Sequence, residues 1–147
     1  MSKKLLEPGL PRGFEDSFGK SLIIEKKIKE IIEKNFLRYG YTEIKTSPME
    51  FSENIGGFLT DDLNDFSKDI FTFDDKDRKI SLRFDLSAPL ARIVSEKYLE
   101  FAFPFRRFQI AEVFRNETSK TGRGRYRSFV QGDFDQIFYG KVPPQAN

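Results

Sequence analysis

The sequence predicts an α+β fold, in which antiparallel strand pairs have helices set among them. Three observations predict it. One long stretch, about 21–38, repeats apolar residues at helical spacing. Two later stretches, 69–84 and 106–136, each read as two β-prone runs joined by a polar loop. A second helical stretch separates them, beginning near Ser87. The order helix, strand, hairpin, helix, long hairpin does not match the strand–helix alternation of a doubly wound parallel sheet.

In the first helix Ile24, Ile28, Ile31, Ile32, Phe36 and Tyr39 line one face, and Glu25, Lys26, Lys29, Glu30, Glu33 and Lys34 fill the other. That pattern predicts an amphipathic core helix whose stripe serves an interface at most. Glu15, Asp16 and Ser17 offer cap chemistry ahead of it, and Gly40 stands where a C-terminal cap belongs. Residues 1–20 otherwise read as extended and irregular. Tyr41 to Thr46 is β-prone, and Pro48 after it cannot donate to a sheet ladder, so an edge or interface position is expected. Met49, Glu50 and Phe51 lead into a loop region. Residues 52–65 predict a short helix and a mobile loop, with a solvated acidic cluster at Asp61, Asp62 and Asp65. The first hairpin pairs 69–73 with 79–84 around a turn of Asp74, Asp75, Lys76 and Asp77. Ser87 is the expected N-cap of the second helix, with Pro89 in its first turn and Leu90, Ile93, Val94 and Tyr98 on its apolar face. Asp85 precedes that helix as either a capping carboxylate or a ligand residue.

Composition narrows the chemistry. The chain has 147 residues, enough for one domain or part of one, and seventeen Phe supply much of the core. With 25 basic and 23 acidic residues, the net charge of +2 implies no partner by itself. Between Phe105 and Gln131, however, seven Lys or Arg face only two Glu. A local basic excess beside a Gly-rich loop suits phosphate or nucleic acid. The chain has neither Cys nor His, which excludes disulfides, thiolate nucleophiles, His metal sites and Ser-His-Asp triads built from its own residues. No metal site is expected. The N-terminus lacks a signal-peptide run and no segment is long enough to span a membrane, so a cytoplasmic soluble protein is expected.

The second hairpin carries the most information. Strand side chains alternate faces. Arg115 and Glu117 therefore share a face on the first arm, and Arg127, Phe129, Gln131, Asp133 and Asp135 share one on the second. An ordinary half-buried hairpin packs apolar residues on one face. A polar face here fits the floor of a polar pocket with the Arg/Gly loop folding over an anion, or a hairpin whose polar row is simply wet.

Several segments together resemble the class II aminoacyl-tRNA synthetases, and within them the histidyl-tRNA synthetase family. Leu10-Pro11-Arg12-Gly13-Phe14 with Asp16 is similar to that family's opening segment. The long helix followed by Ile44-Lys45-Thr46-Ser47-Pro48 resembles motif 1, whose proline lies on a dimer interface. Residues 81–92, from Ser81-Leu82-Arg83-Phe84-Asp85-Leu86-Ser87 to Arg92, resemble the family's amino-acid-binding segment. Residues 113–117 and 124–131 resemble motif 2. The likeness runs from about Leu10 to Asp135.

The resemblance implies a partial class II antiparallel sheet flanked by helices, with residues 1–138 as the N-terminal part of a catalytic core and 139–147 as a disordered tail. It implies histidine–tRNA ligase chemistry with ATP as substrate and Mg²⁺ as cofactor, and histidine, tRNA(His) and a second copy of the chain as partners. Arg115 takes the catalytic role, contacting the ATP α-phosphate and the histidine carboxylate. Glu117, Arg125, Arg127 and Phe129 join it in binding ATP. Asp85, Ser87, Gln131 and Asp135, with Arg115, bind histidine, and Pro48 sits at the dimer interface. The family continues well beyond motif 2, so the isolated chain is expected to hold a partial site and to be inactive alone. Two alternatives are a synthetase-like regulatory subunit of ATP phosphoribosyltransferase and a basic nucleic-acid-binding hairpin without catalysis. Arg115, Glu117 and the Arg-Gly loop argue against the first. Gln131 and Asp135 on the pocket face argue against the second, because carboxylates repel phosphate.

Overall fold

A computed structural model describes residues 7–56, 69–116 and 126–140. Glu117, Arg125, the Gly/Arg loop between the hairpin arms, the acidic cluster at Asp61, Asp62 and Asp65, and the tail beyond residue 140 lie outside them. The described residues form two three-stranded sheets with three helices.

Helix α1 spans Lys20–Arg38. Its end is written in the sequence. Gly40 adopts φ +74, the Gly40 N–H donates to Leu37 O at 3.1 Å and the Tyr41 N–H to Phe36 O at 3.0 Å. These two bonds make a Schellman motif, and the Phe36 and Tyr41 rings, 5.3 Å apart, supply its hydrophobic contact. The start differs from expectation. Gly19 occupies the N-cap position with φ +65 and has no side chain with which to cap the helix, while Ser21 donates its hydroxyl back to Phe18 O. The apolar stripe also departs from the core helix expected. Ile24, Ile28 and Ile31 remain 58%, 52% and 60% exposed. At its C-terminal end Phe36 packs on Phe108 at 5.2 Å and Phe134 at 5.0 Å.

The first sheet has the order β1 (Thr42–Glu43), β5 (Phe105–Phe114), β6 (Ser128–Ile137). β5 and β6 are the long hairpin, antiparallel over ten residue pairs from Phe105↔Ile137 to Phe114↔Ser128. β1 runs parallel to β5 at its edge, so this sheet is mixed rather than purely antiparallel. Beyond Ile44 the chain leaves the edge, as Pro48 requires, and Pro48 itself is exposed.

The second sheet has the order β2 (Met49–Phe51), β4 (Arg78–Leu82), β3 (Thr72–Asp75), all antiparallel. Residues 49–51, expected to lead into a loop, form β2 because Glu50 is drawn inward opposite Ser81, where its carboxylate accepts from Arg92 Nε at 2.7 Å. The β3–β4 ladder continues to Asp75↔Arg78, which shortens the expected four-residue turn to Lys76-Asp77, with Lys76 at φ +50. Helix α2 (Ser52–Gly56) follows β2, and α3 (Ser87–Lys97) with a 3₁₀ turn at Tyr98–Glu100 follows β4.

Arg83 links the two sheets. The Arg83 N–H donates to Pro48 O at 2.9 Å and the Phe114 N–H donates to Arg83 O at 3.0 Å. Its guanidinium donates through Nε to Glu112 O at 2.7 Å and through Nη1 to Thr46 O at 3.1 Å. At 7% exposure, Arg83 fills the gap left where β1 departs from β5.

Candidate functional site

The pairing of β5 with β6 assigns every hairpin residue to a face. Phe108 lies opposite Phe134, and Ile110 opposite Gly132. This is the face that meets Phe36 of α1. The other face carries Arg107 opposite Asp135, Gln109 opposite Asp133, Ala111 opposite Gln131 and Val113 opposite Phe129. The polar row predicted on the second arm thus lies along one continuous surface, with Gln131 at its middle, Phe129 at one end and Asp135 at the other.

An acidic cluster occupies the Asp135 end. Arg107 is fully buried, and its Nη2 donates to Asp133 Oδ2 at 2.8 Å and to Asp135 Oδ2. Asp133 and Asp135 keep 22% and 40% of their side chains exposed. Burial raises the Asp135 pKa above the usual carboxylate value. The Arg107 charge opposes that rise and Asp133 reinforces it. The ion pair alone would lower the pKa, so desolvation outweighs it here. Gln109, next along the face, exchanges a hydrogen bond with Thr46 at 3.1 Å.

Arg115 stands at the opposite end, just past β5. Its N–H donates to Arg127 O at 2.8 Å and so extends the ladder. Its guanidinium carbon sits 4.5 Å from the Phe84 ring centroid and 5.0 Å from that of Phe129, a cation–π arrangement that fixes a planar fork between two rings. Its buried Nε has no hydrogen-bond partner. Arg127 is held differently. Its N–H donates to Gly13 O at 2.7 Å and its guanidinium lies 4.5 Å from the Phe71 ring. Gly13, at φ +87, is required there, because a Cβ would come within 2.6 Å of Arg127 Cγ. The opening Pro-Arg-Gly segment therefore packs onto motif 2.

Asp85 performs the capping that Ser87 was expected to supply. Its Oδ1 accepts from the Ser87 N–H at 3.2 Å and the Ala88 N–H at 3.1 Å, while the Ser87 side chain is exposed. Asp85 follows Arg83 by two residues and Arg115 follows Phe114, so the Arg83–Phe114 bond ties the Asp85 and Arg115 backbones together. Pro48, Thr46, Arg83 and Gln109 line a cavity of ≈ 210 Å³ at the edge of β5. Among the described residues no group of three or more Asp or Glu could hold a metal ion.

The sequence singled out no role for four residues of this region: Arg107, named in no motif, and Gly13, Arg83 and Phe84, named only within the resembled segments. Counting alternation back from Arg115 reaches Arg107 on the same face, so that signal was present. Arg83 stands in the resembled 81–92 segment, but its side-chain bonds all go to backbone carbonyls distant in sequence, so nothing local gave it a structural role.

The sequence model of histidyl-tRNA synthetase matches residues 13–132. The histidine–tRNA ligase of Pelagibacter ubique is 49% identical over 143 residues, covering 97% of this chain and 30% of the relative. That of Caulobacter vibrioides is 37% identical, covering 96% of the chain and 28% of the relative. Among solved structures, histidyl-tRNA synthetase from Nostoc superposes with a TM-score of 0.77 at 26% identity, over 92% of this chain and 30% of that one. A Bacillus halodurans structure described as an ATP phosphoribosyltransferase regulatory subunit/histidyl-tRNA synthetase shares the fold, with a TM-score of 0.73 at 24% identity over 89% of this chain and 32% of that one. The chain thus spans about 30% of the length of the curated relatives it matches. Because the match runs from the Pro-Arg-Gly segment, through the Arg83 junction, to the middle of β6, the chain belongs to the histidyl-tRNA synthetase family.

Proposed function

We propose that the polar face of the β5–β6 hairpin is the floor of a site that activates histidine with ATP and passes it to tRNA(His). The observation that carries this reading is Arg115, a guanidinium held between Phe84 and Phe129 at one end of a face whose other end is acidic. In the first step a histidine carboxylate oxygen attacks the α-phosphorus of ATP, the α–β P–O bond breaks and pyrophosphate leaves. Arg115 neutralises the carboxylate and the α-phosphate and stabilises charge that grows in the transition state. In the second step a terminal hydroxyl of the tRNA attacks the acyl carbon and AMP leaves. No covalent enzyme intermediate is required, which suits a chain without Cys or His.

The remaining roles follow from the family. Phe129 stacks on adenine once ATP displaces part of its contact with Arg115, and Glu117 accepts from the adenine amino group. Arg125 and Arg127 face the triphosphate. Asp85 takes the α-amino group with help from Ser87, and Gln131 and Asp135 take the imidazole. In this family Mg²⁺ supplies charge neutralisation at the triphosphate, but the described residues offer no carboxylate cluster to hold it, and no step of this reading runs through it. Homodimerisation with Pro48 at the interface is part of the proposal, supported by the exposed Pro48 and the uncovered Ile24, Ile28 and Ile31 stripe. A cytoplasmic location is supported by the family's role in translation, and no helix among the described residues is long and apolar enough to cross a membrane.

Histidine-dependent exchange of pyrophosphate into ATP by the intact protein tests the reading. Exchange is expected, with a loss of about a hundredfold or more in Arg115→Ala. No exchange combined with tight histidine binding would instead support a regulatory chain, the description that the Bacillus halodurans neighbour shares. The ligase relatives, at up to 49% identity, favour the synthetase.

A further inference from the structure

Three charged groups meet at the acidic end of the pocket face, and their count is uneven. Arg107 contributes one positive charge and is fully buried; Asp133 and Asp135 contribute two negative charges. A single guanidinium nitrogen, Nη2, serves both carboxylates, while the buried Nε and Nη1 have no hydrogen-bond partner. The strand register explains the arrangement. Asp135 is directly opposite Arg107, and Asp133 is its diagonal neighbour, opposite Gln109. The two carboxylates are not equivalent. Asp133 is the more enclosed at 22% side-chain exposure and Asp135 the more open at 40%.

We infer that Asp133 is a specificity-determining residue that neutralises Arg107 and so leaves the charge of Asp135 to be presented to the side chain of the bound amino acid. A lone Arg107–Asp135 pair would be neutral and its carboxylate committed. With Asp133 added, the cluster carries a net charge of −1, most accessible at Asp135, the more exposed carboxylate. Such a surface selects a side chain that brings an N–H donor or partial positive charge, as an imidazole does, and disfavours an apolar or acidic one. Arg107 acts in this arrangement as a positioning residue. It fixes Asp135 by a bond from a strand-borne, buried stem and does not itself reach the ligand. The inference rests on the proposed function and refines it, since the family roles above assign no part to Asp133 or Arg107.

The test is ATP–pyrophosphate exchange in the intact protein, with KM measured separately for histidine and for ATP. In Asp133→Asn, Arg107 has only Asp135 left to pair with. KM for histidine is expected to rise about tenfold, the loss of one charge-assisted hydrogen bond, while KM for ATP stays within about twofold. In the double variant Arg107→Met with Asp133→Asn, Asp135 recovers its uncommitted charge. KM for histidine is then expected to return to within about threefold of the unsubstituted protein. The double variant leaves no unpaired buried charge, so it supplies the measurement even if the single variant fails to fold. An unmoved histidine KM in folded Asp133→Asn overturns the inference, as does a parallel rise in both KM values or a double variant no better than about tenfold impaired. A fall in melting temperature with kinetics intact marks the cluster as merely structural. Absence of exchange in the unsubstituted protein refutes the proposed function and this inference together, whereas exchange with an unmoved KM refutes the inference alone.

Discussion

Replacing Arg83 by Met removes the junction between the two sheets while keeping most of its volume. The magnitude follows from the bonds. Nε to Glu112 O at 2.7 Å and Nη1 to Thr46 O at 3.1 Å have good lengths; Nη1 to Ser47 O at 3.4 Å is at the edge and is given no weight. Two bonds from a charged donor contribute about 3–6 kcal/mol in all. Against this, burial disfavours the charged guanidinium, whose pKa it lowers, and Met avoids a desolvation cost of several kcal/mol. The balance is a loss of about 3 kcal/mol, because the Thr46 and Glu112 carbonyls lose their donors and gain none. For a chain of this size that lowers the melting temperature by about 6–12 °C, measured by calorimetry or a thermal circular-dichroism scan. Arg83→Lys should behave almost as badly, since one ammonium cannot follow the fork to both the Glu112 and Thr46 carbonyls. A functional consequence accompanies the structural one. Arg83 sets the spacing between the Asp85 and Arg115 backbones, so KM for histidine should rise in whatever fraction stays folded. A shift below about 2 °C in Arg83→Met, or a Lys variant matching the unsubstituted protein, would refute the assignment of Arg83 as the strut.

On the proposed function Asp85 would have two separable duties: Asp85→Asn should keep the α3 cap and the melting temperature but raise KM for histidine, whereas Asp85→Ala should also cost about 1 kcal/mol in urea unfolding. Asp135 has a folded pKa raised chiefly by burial, so between its unfolded pKa near about 4 and that raised value the folded state binds the extra proton. Its contribution is therefore fully present below the unfolded pKa and lost as pH rises through the folded one. The stability of the unsubstituted protein relative to Asp135→Asn should accordingly grow as pH falls from 7 toward about 4 in urea titrations. Phe36→Ala should cost about 3 kcal/mol, because its ring meets Tyr41, Phe108 and Phe134. Ile28→Glu, at a position 52% exposed, should change the stability of the isolated chain by no more than about 0.5 kcal/mol.

The fold was most legible where local chemistry decides it. The end of α1 follows from Gly40 because only a residue tolerant of positive φ closes a Schellman motif, and Tyr41 supplied the matching apolar contact. The start of the same helix was misread, because Glu15, Asp16 and Ser17 look like caps yet stand too early once Gly19 makes the turn. The Ile24, Ile28 and Ile31 stripe illustrates a different limit. Periodicity reports that a face is apolar, not what covers it, and within this chain it remains exposed. β2 was missed for the opposite reason: Glu50 reads as a surface residue until Arg92, 42 positions away, gives its carboxylate a partner.

The candidate site was legible on one arm and half-legible on the other. Alternation on β6 needs no knowledge of the partner strand, so Phe129, Gln131, Asp133 and Asp135 fell on one face from sequence alone. The β5 side depends on register. A shift of one residue would exchange Arg107 for Arg106, putting an exposed arginine where the buried one belongs. Register is fixed by contacts distant in sequence: Phe108 and Phe134 must both face Phe36, and that requirement turns Arg107 inward. The buried guanidinium that pairs with Asp133 and Asp135 is thus a consequence of aromatic packing on the far side of the sheet. On the proposed function a substitution at Phe36 should therefore disturb histidine binding as well as stability, although that ring lies on the opposite face of the sheet.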